Sequence, residues 1–128
     1  MHLLLDTTVL IDALRLRNNR RQLLADLVRE GHTLNISALN VAEVYAGVRQ
    51  GEEDSTETFL SAFDCFDINA STGRRAGKLR NEWARKGRIL ALADTIVAAA
   101  ALENHCVLMT DNRKDFPMPE LNLYPLPI

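Results

Sequence analysis

Apolar positions along this chain follow two alternating periods. Short, mostly aliphatic runs recur at His2–Leu5, Thr33–Ile36, Cys65–Ile68 and Cys106–Met109. Runs of this kind suit strands of a parallel sheet that is covered on both faces. Between them the apolar residues fall at helical spacing. Helices are predicted from Thr8 to about Leu14, from Arg20 to Glu30, from Ala38 to about Arg49, from Glu52 to Phe63, from Ala70 to about Lys86 and from Leu90 to Asn104. Leu23, Leu24, Leu27 and Val28 form the inward stripe of the second helix, and Phe59, Leu60 and Phe63 that of the fourth. Asn18-Asn19, Gly31, Gly47, Gly51 and Gly87 punctuate the helices, and Ser37 and either Asn69 or Ser71 are natural N-caps. Leu121–Tyr124 reads as a short edge strand that Pro125 and Pro127 prevent from extending. The alternation predicts an α/β fold: a three-layer α/β/α sandwich with a central parallel sheet of four to five strands, as one domain spanning residues 1–128.

Composition changes little. An apolar fraction of 47% and a charged fraction of 25% are those of an ordinary globular protein. The net charge of −2 supplies no global basic field, so any contact with nucleic acid must come from a local patch or through a cation. One segment is biased: Arg74, Arg75, Lys78, Arg80, Arg85, Lys86 and Arg88 are opposed only by Glu82, a surface suited either to phosphates or to plain solvation. The earlier basic set, Arg15, Arg17, Arg20 and Arg21, reads as a solvated face. Cys65 and Cys106 each lie in a strand-like run and read as reduced core residues. His2, His32 and His105 fall at element ends or in turns and read as structural or exposed. There is no basic leader before the first apolar run and no run long enough to span a bilayer, so the expected compartment is the cytoplasm, with no membrane association.

The candidate chemistry lies at strand ends. Asp6 directly follows the first strand, and Thr110-Asp111 the last. In open α/β sheets the carboxyl ends of the strands form the ligand-binding edge. Glu43 and Asp94 sit in apolar helices that are expected to begin at that edge. Each has an ordinary structural reading, Asp6 as a helix cap, Glu43 as an exposed position and Asp94 as a dipole-favoured first-turn acid. Together they form a carboxylate cluster, which repels itself unless protonated or bridged by a hard cation such as Mg²⁺ or Mn²⁺. Such a cation activates water for in-line attack on a phosphodiester. Thr7, Ser37 and Thr110 place hydroxyls on the same rim, to orient carboxylates or to contact a phosphate. The chain has no GxxxxGK[ST] phosphate loop and no Ser-His-Asp arrangement.

The segments LLLDTTVLID, ISALNVAEVYAG, LADTIVAAAAL and VLMTDNRKDF, in this order and spacing, resemble a PIN domain, and more narrowly the VapC-type toxin ribonucleases of prokaryotic toxin–antitoxin pairs. The resemblance covers nearly the whole chain. It implies an endoribonuclease dependent on Mg²⁺ or Mn²⁺, commonly a homodimer, inhibited by a cognate antitoxin. It matches Asp6, Glu43 and Asp94 to the family's acids and offers Asp115, by its place before Phe116, or Asp111 as the fourth. The implied direct metal ligands are Asp6 and Asp94, with Asp115 or Asp111 bound directly or through water and Glu43 completing the catalytic set. Arg85 and Arg88 lie outside the family motifs and rest on charge alone as substrate contacts. Two other readings remain open at this stage: a PIN-type RNA-processing nuclease that is not a toxin, and an RNA-binding module of the same fold without catalysis. A phosphatase with an aspartyl nucleophile fits less well, because it wants a second acid two residues after Asp6, where Thr8 stands.

Overall fold

A computed structural model describes residues 1–127. Four strands, β1 (His2–Leu5), β2 (Thr33–Ser37), β3 (Asp64–Phe66) and β4 (Val107–Met109), form one sheet in the order β3-β2-β1-β4. All three pairings are parallel, with Leu3 opposite Leu34 and Val107, and Ile36 opposite Cys65. The strand expected at Leu121–Tyr124 contributes a single parallel bridge, Leu108 to Leu123, so the sheet has four full strands. Proline on both sides of that segment leaves it too short to build a ladder.

Six helices flank the sheet: α1 (Thr7–Leu14), α2 (Arg20–Arg29), α3 (Ala38–Ala46), α4 (Glu53–Leu60), α5 (Ala70–Arg85) and α6 (Leu92–Glu103). Alternation along β1 divides the core in two. Leu3 and Leu5 pack with α1, α2, Val44 of α3, Leu60 of α4 and Met109. Leu4 points to the other face, against Ala76 and Leu79 of α5 and the alanines of α6. The predicted three layers are present.

Some boundaries and burials differ from the sequence reading. The third helix stops at Ala46, before Gly47, instead of running on to Arg49. The sixth begins at Leu92, because Ala91 is extended and Leu90 is held outside the helix, its carbonyl taken by Arg80 Nε at 2.9 Å. Val28 is exposed, bordering a groove, where an inward position was expected. Cys65 is exposed on the three-residue edge strand β3, whereas Cys106 is buried as expected; both are free thiols. Arg20 is the largest departure. It is 6% exposed and ion-paired, not part of a solvated face. No helix among the described residues is long and apolar enough to cross a membrane.

Candidate active site

Asp6 leaves the end of the central strand with its amide donating to the Met109 carbonyl at 2.9 Å, so the last sheet bond between β1 and β4 fixes its backbone. Its side chain caps α1: Oδ1 accepts from the Thr7 amide at 2.9 Å, and Oδ2 accepts from Thr110 Oγ1 at 2.7 Å. The structural reading of Asp6 as a cap and its place on the acidic rim thus hold together. Burial pushes its carboxyl above the ordinary carboxylate range. The Thr110 and Thr7 hydrogen bonds oppose that shift, and the Glu43 and Asp111 charges add to it.

Glu43 projects from α3, and Thr7 Oγ1 donates to its Oε1 at 2.6 Å. Thr7 is fixed in turn by Asn40, whose Nδ2 donates to Thr7 Oγ1 at 3.0 Å. Asn40 is fully buried and closes the α3 capping box: the Ser37 amide and Oγ donate to Asn40 Oδ1 at 2.9 and 2.7 Å, and the Asn40 amide donates to Ser37 Oγ at 3.3 Å. A chain of side chains therefore runs from the start of α3 through Thr7 to Glu43. The sequence reading missed Asn40. Its signal was local, a serine N-cap followed three residues later by a side chain able to reciprocate. Ser37 is fully buried and engaged with Asn40, so its hydroxyl positions this chain and does not face a substrate. Thr7 and Thr110 likewise spend their hydroxyl protons on carboxylates.

Asp94 lies in the first turn of α6. Its carboxyl is pushed up to about 6, first by burial and then by the charges of Asp115, Asp6 and Glu43. Four acids spread from residue 6 to residue 115 thus share one electrostatic field. Asp115 ends a short 3-10 turn, Arg113–Asp115, and its charge bears on Asp94. Asp111, the other candidate, is bound to Arg20 at 2.7 Å. Among the described residues, no three His, Cys, Asp or Glu side chains already stand as a closed ligand set. The acids are neighbours in field but are not clamped together. That donor chemistry, all oxygen and partly solvated, fits a hard cation that keeps several waters and takes only one or two carboxylates directly.

Near the acids the surface turns basic. Arg88 donates to the Lys114 carbonyl, which joins the α5–α6 connection to the turn carrying Asp115. Arg85 is exposed at the end of α5, and Lys86 lies over the Trp83 ring at 4.5 Å from its centroid. A separate cavity, about 510 Å³ between α2 and α4, is lined by Leu24, Val28, Phe59 and Phe63 among others, and Asp6, Glu43, Asp94, Asp111 and Asp115 are not among its lining.

The PIN domain family model matches residues 3–117. The chain belongs to the PIN domain family. Among curated relatives of this PIN domain, Ribonuclease VapC19 of Mycobacterium tuberculosis is 34% identical over 115 residues, covering 90% of this chain and 92% of that protein. The tRNA(fMet)-specific endonuclease VapC of Shigella flexneri is 28% identical and covers 70% of this chain and 75% of its own length. Among solved structures, VapBC2 of Rickettsia felis, bound to a DNA fragment from its promoter, superposes with a TM-score of 0.84 at 28% identity, covering 97% of this PIN domain and 98% of the matched chain. A toxin–antitoxin complex from Klebsiella pneumoniae gives a TM-score of 0.77 at 31% identity, covering 92% and 93%. The predicted family and fold are both borne out.

Proposed function

We propose that this protein is a metal-dependent endoribonuclease, cleaving RNA phosphodiester bonds with Mg²⁺ or Mn²⁺ and acting as the toxin of a toxin–antitoxin pair. The observation that carries the chemistry is Asp94, a carboxyl held up to about 6 by burial and by three other acids drawn from distant parts of the chain. Such a cluster has a physical use when it holds a cation. Support for RNA as substrate comes from relatives named ribonucleases, and support for an antitoxin partner from the toxin–antitoxin complexes among the structural neighbours.

Asp6 and Asp94 would hold the cation directly, and Asp115 directly or through water. A bound cation would supply an acidified water and positive charge for the phosphate oxygens. Thr110 and the Thr7 amide orient both oxygens of Asp6, which fixes the direction in which it can offer a lone pair. Thr7 takes one oxygen of Glu43, and among the described residues the other has no donor, leaving it to orient the attacking water and accept its proton. Arg85 and Arg88 neutralise phosphates flanking the cleaved bond. We place the protein in the cytoplasm, as a single domain that functions as a homodimer.

The test is cleavage of a structured RNA pool by purified protein with Mg²⁺ or Mn²⁺, beside EDTA and an Asp6→Ala variant. Cleavage lost in both controls is the expected result. Cleavage that survives EDTA overturns the metal reading. Expression should arrest growth, with relief on co-expression of the product of the neighbouring gene. Growth unaffected by an active enzyme would instead favour an RNA-processing nuclease.

A further inference from the structure

Arg20 is buried at the start of α2, directly after two residues in the left-handed region, Asn18 (φ 53°) and Asn19 (φ 57°). That strained turn aims its side chain inward. Nη1 donates to the Asn18 carbonyl at 3.2 Å. Nη2 donates to Asp111 Oδ1 at 2.7 Å and to the Pro127 carbonyl at 3.5 Å. Among the described residues Nε has no partner. Only the Arg20 side of this ion pair is buried, at 7% exposure against 35% for Asp111, and desolvating the guanidinium offsets part of the attraction, so the pair is a poor source of stability. Its value lies in fixing geometry, and the geometry here leads to the acids. Asp111 follows Thr110, whose hydroxyl donates to Asp6. The Asn112 amide donates back to Thr110 Oγ1 at 3.0 Å, and the next turn carries Asp115. One side chain therefore anchors the segment that supplies both the Asp6 hydrogen bond and the acid whose charge bears on Asp94.

We infer that Arg20 is a positioning residue: by gripping Asp111 it holds residues 110–115 in the conformation that completes the acidic site, and it keeps Asp111 itself out of the cation's ligand set. The cation rests on the function proposed above, whereas the grip does not.

The experiment is a double-mutant cycle on the metal-free protein, using Arg20→Met, Asp111→Ala and the double variant. Mn²⁺ affinity is read by calorimetry, and hydrogen exchange at residues 110–116 is measured in parallel without metal. Each single variant should weaken Mn²⁺ binding by about tenfold, the scale of losing a residue that orients a ligand. The double variant should be no worse than either single, since the two act as one unit. Protection at residues 110–116 should fall in all three. Loss of binding in Asp111→Ala with wild-type binding in Arg20→Met would make Asp111 a ligand and overturn the assignment. Wild-type affinity in both singles, or additive losses in the double, would also overturn it. If the wild-type protein binds no Mn²⁺, the metal reading fails, and exchange still decides the grip: unchanged protection in Arg20→Met refutes it. If Arg20→Met does not fold, Asp111→Ala alone carries the exchange comparison.

Discussion

Two opposing fields act on the carboxyl of Asp94. The amino end of α6 favours its negative charge, while burial and the carboxylates of Asp115, Asp6 and Glu43 disfavour it, and the second set wins. Because the value in the fold lies above the ordinary 3.8, folding favours the protonated form. The stability this gives is complete below about pH 4 and lost as pH rises through about 6. Asp94→Asn should therefore stabilise the metal-free protein at pH 7.5 by about 1 kcal/mol after allowance for solvent screening, a rise of about 3–5 °C in Tm, with almost no gain at pH 4. Thermal scans at the two pH values check this, and an equal gain at both would sink it. The same variant should lose RNA cleavage while keeping its fold. These acids were legible in the sequence because a charge at a strand end or inside an apolar helix stands out locally. Arg20 was not, because its partner Asp111 lies 91 residues away and nothing near Arg20 distinguishes it from the exposed arginines beside it.

At the scale of elements, α5 and α6 form an antiparallel pair behind the sheet. Ser71 at the start of α5 donates to Glu103 at the end of α6 at 2.9 Å, and Arg80 holds the Leu90 carbonyl near the other end. Thr72, Ala76, Leu79 and Trp83 form the inward stripe of α5. Ala98, Ala99, Ala100 and Ala101 ring α6 and are buried to within 1% of full enclosure, in the cluster that joins α5 to Leu4 and Leu108 of the sheet. Small side chains let these helices and the sheet approach closely, with no space for branched replacements. Ala98→Leu should cost about 1–3 kcal/mol of stability by overpacking, measured by urea denaturation. A neutral result would show that the interface has slack. This packing was readable from the alanine run. The helix starts were less so: Leu90 and Ala91 are apolar and continue the pattern, yet Arg80 takes the Leu90 carbonyl and Ala91 is extended as the N-cap. The same limit applies to Val28, which fits a helical stripe but borders an open groove in the fold. Periodicity places a side chain on a helix face and says nothing of what stands opposite.

Across the whole molecule, charge is separated despite a net value of only −2. Acids occupy the carboxyl edge of the sheet, and the end of α5 with the Arg88–Lys114 connection places cations beside them. On the function proposed above, long-range attraction of RNA would depend on that second region. Replacing Arg85 and Arg88 together with glutamine should lower the slope of log affinity against log salt by about 1.4, two phosphate contacts on single-stranded RNA. Binding measured on the Asp94→Asn background separates this from cleavage, and an unchanged slope would remove both arginines from the RNA surface.

The place of β1 in the sheet has a consequence for synthesis. It precedes the other three strands in the chain, yet it lies between β2 and β4, and the hydrogen bond that orients Asp6 comes from a threonine 104 residues later. At about 5–20 residues per second, a ribosome needs about 5–20 seconds to cover that span. Through that interval the emerging chain carries Asp6, Glu43 and then Asp94 without the strand and turn that bring them into register. On the function proposed above, the cutting edge would stay incomplete until residues 110–115 have been made.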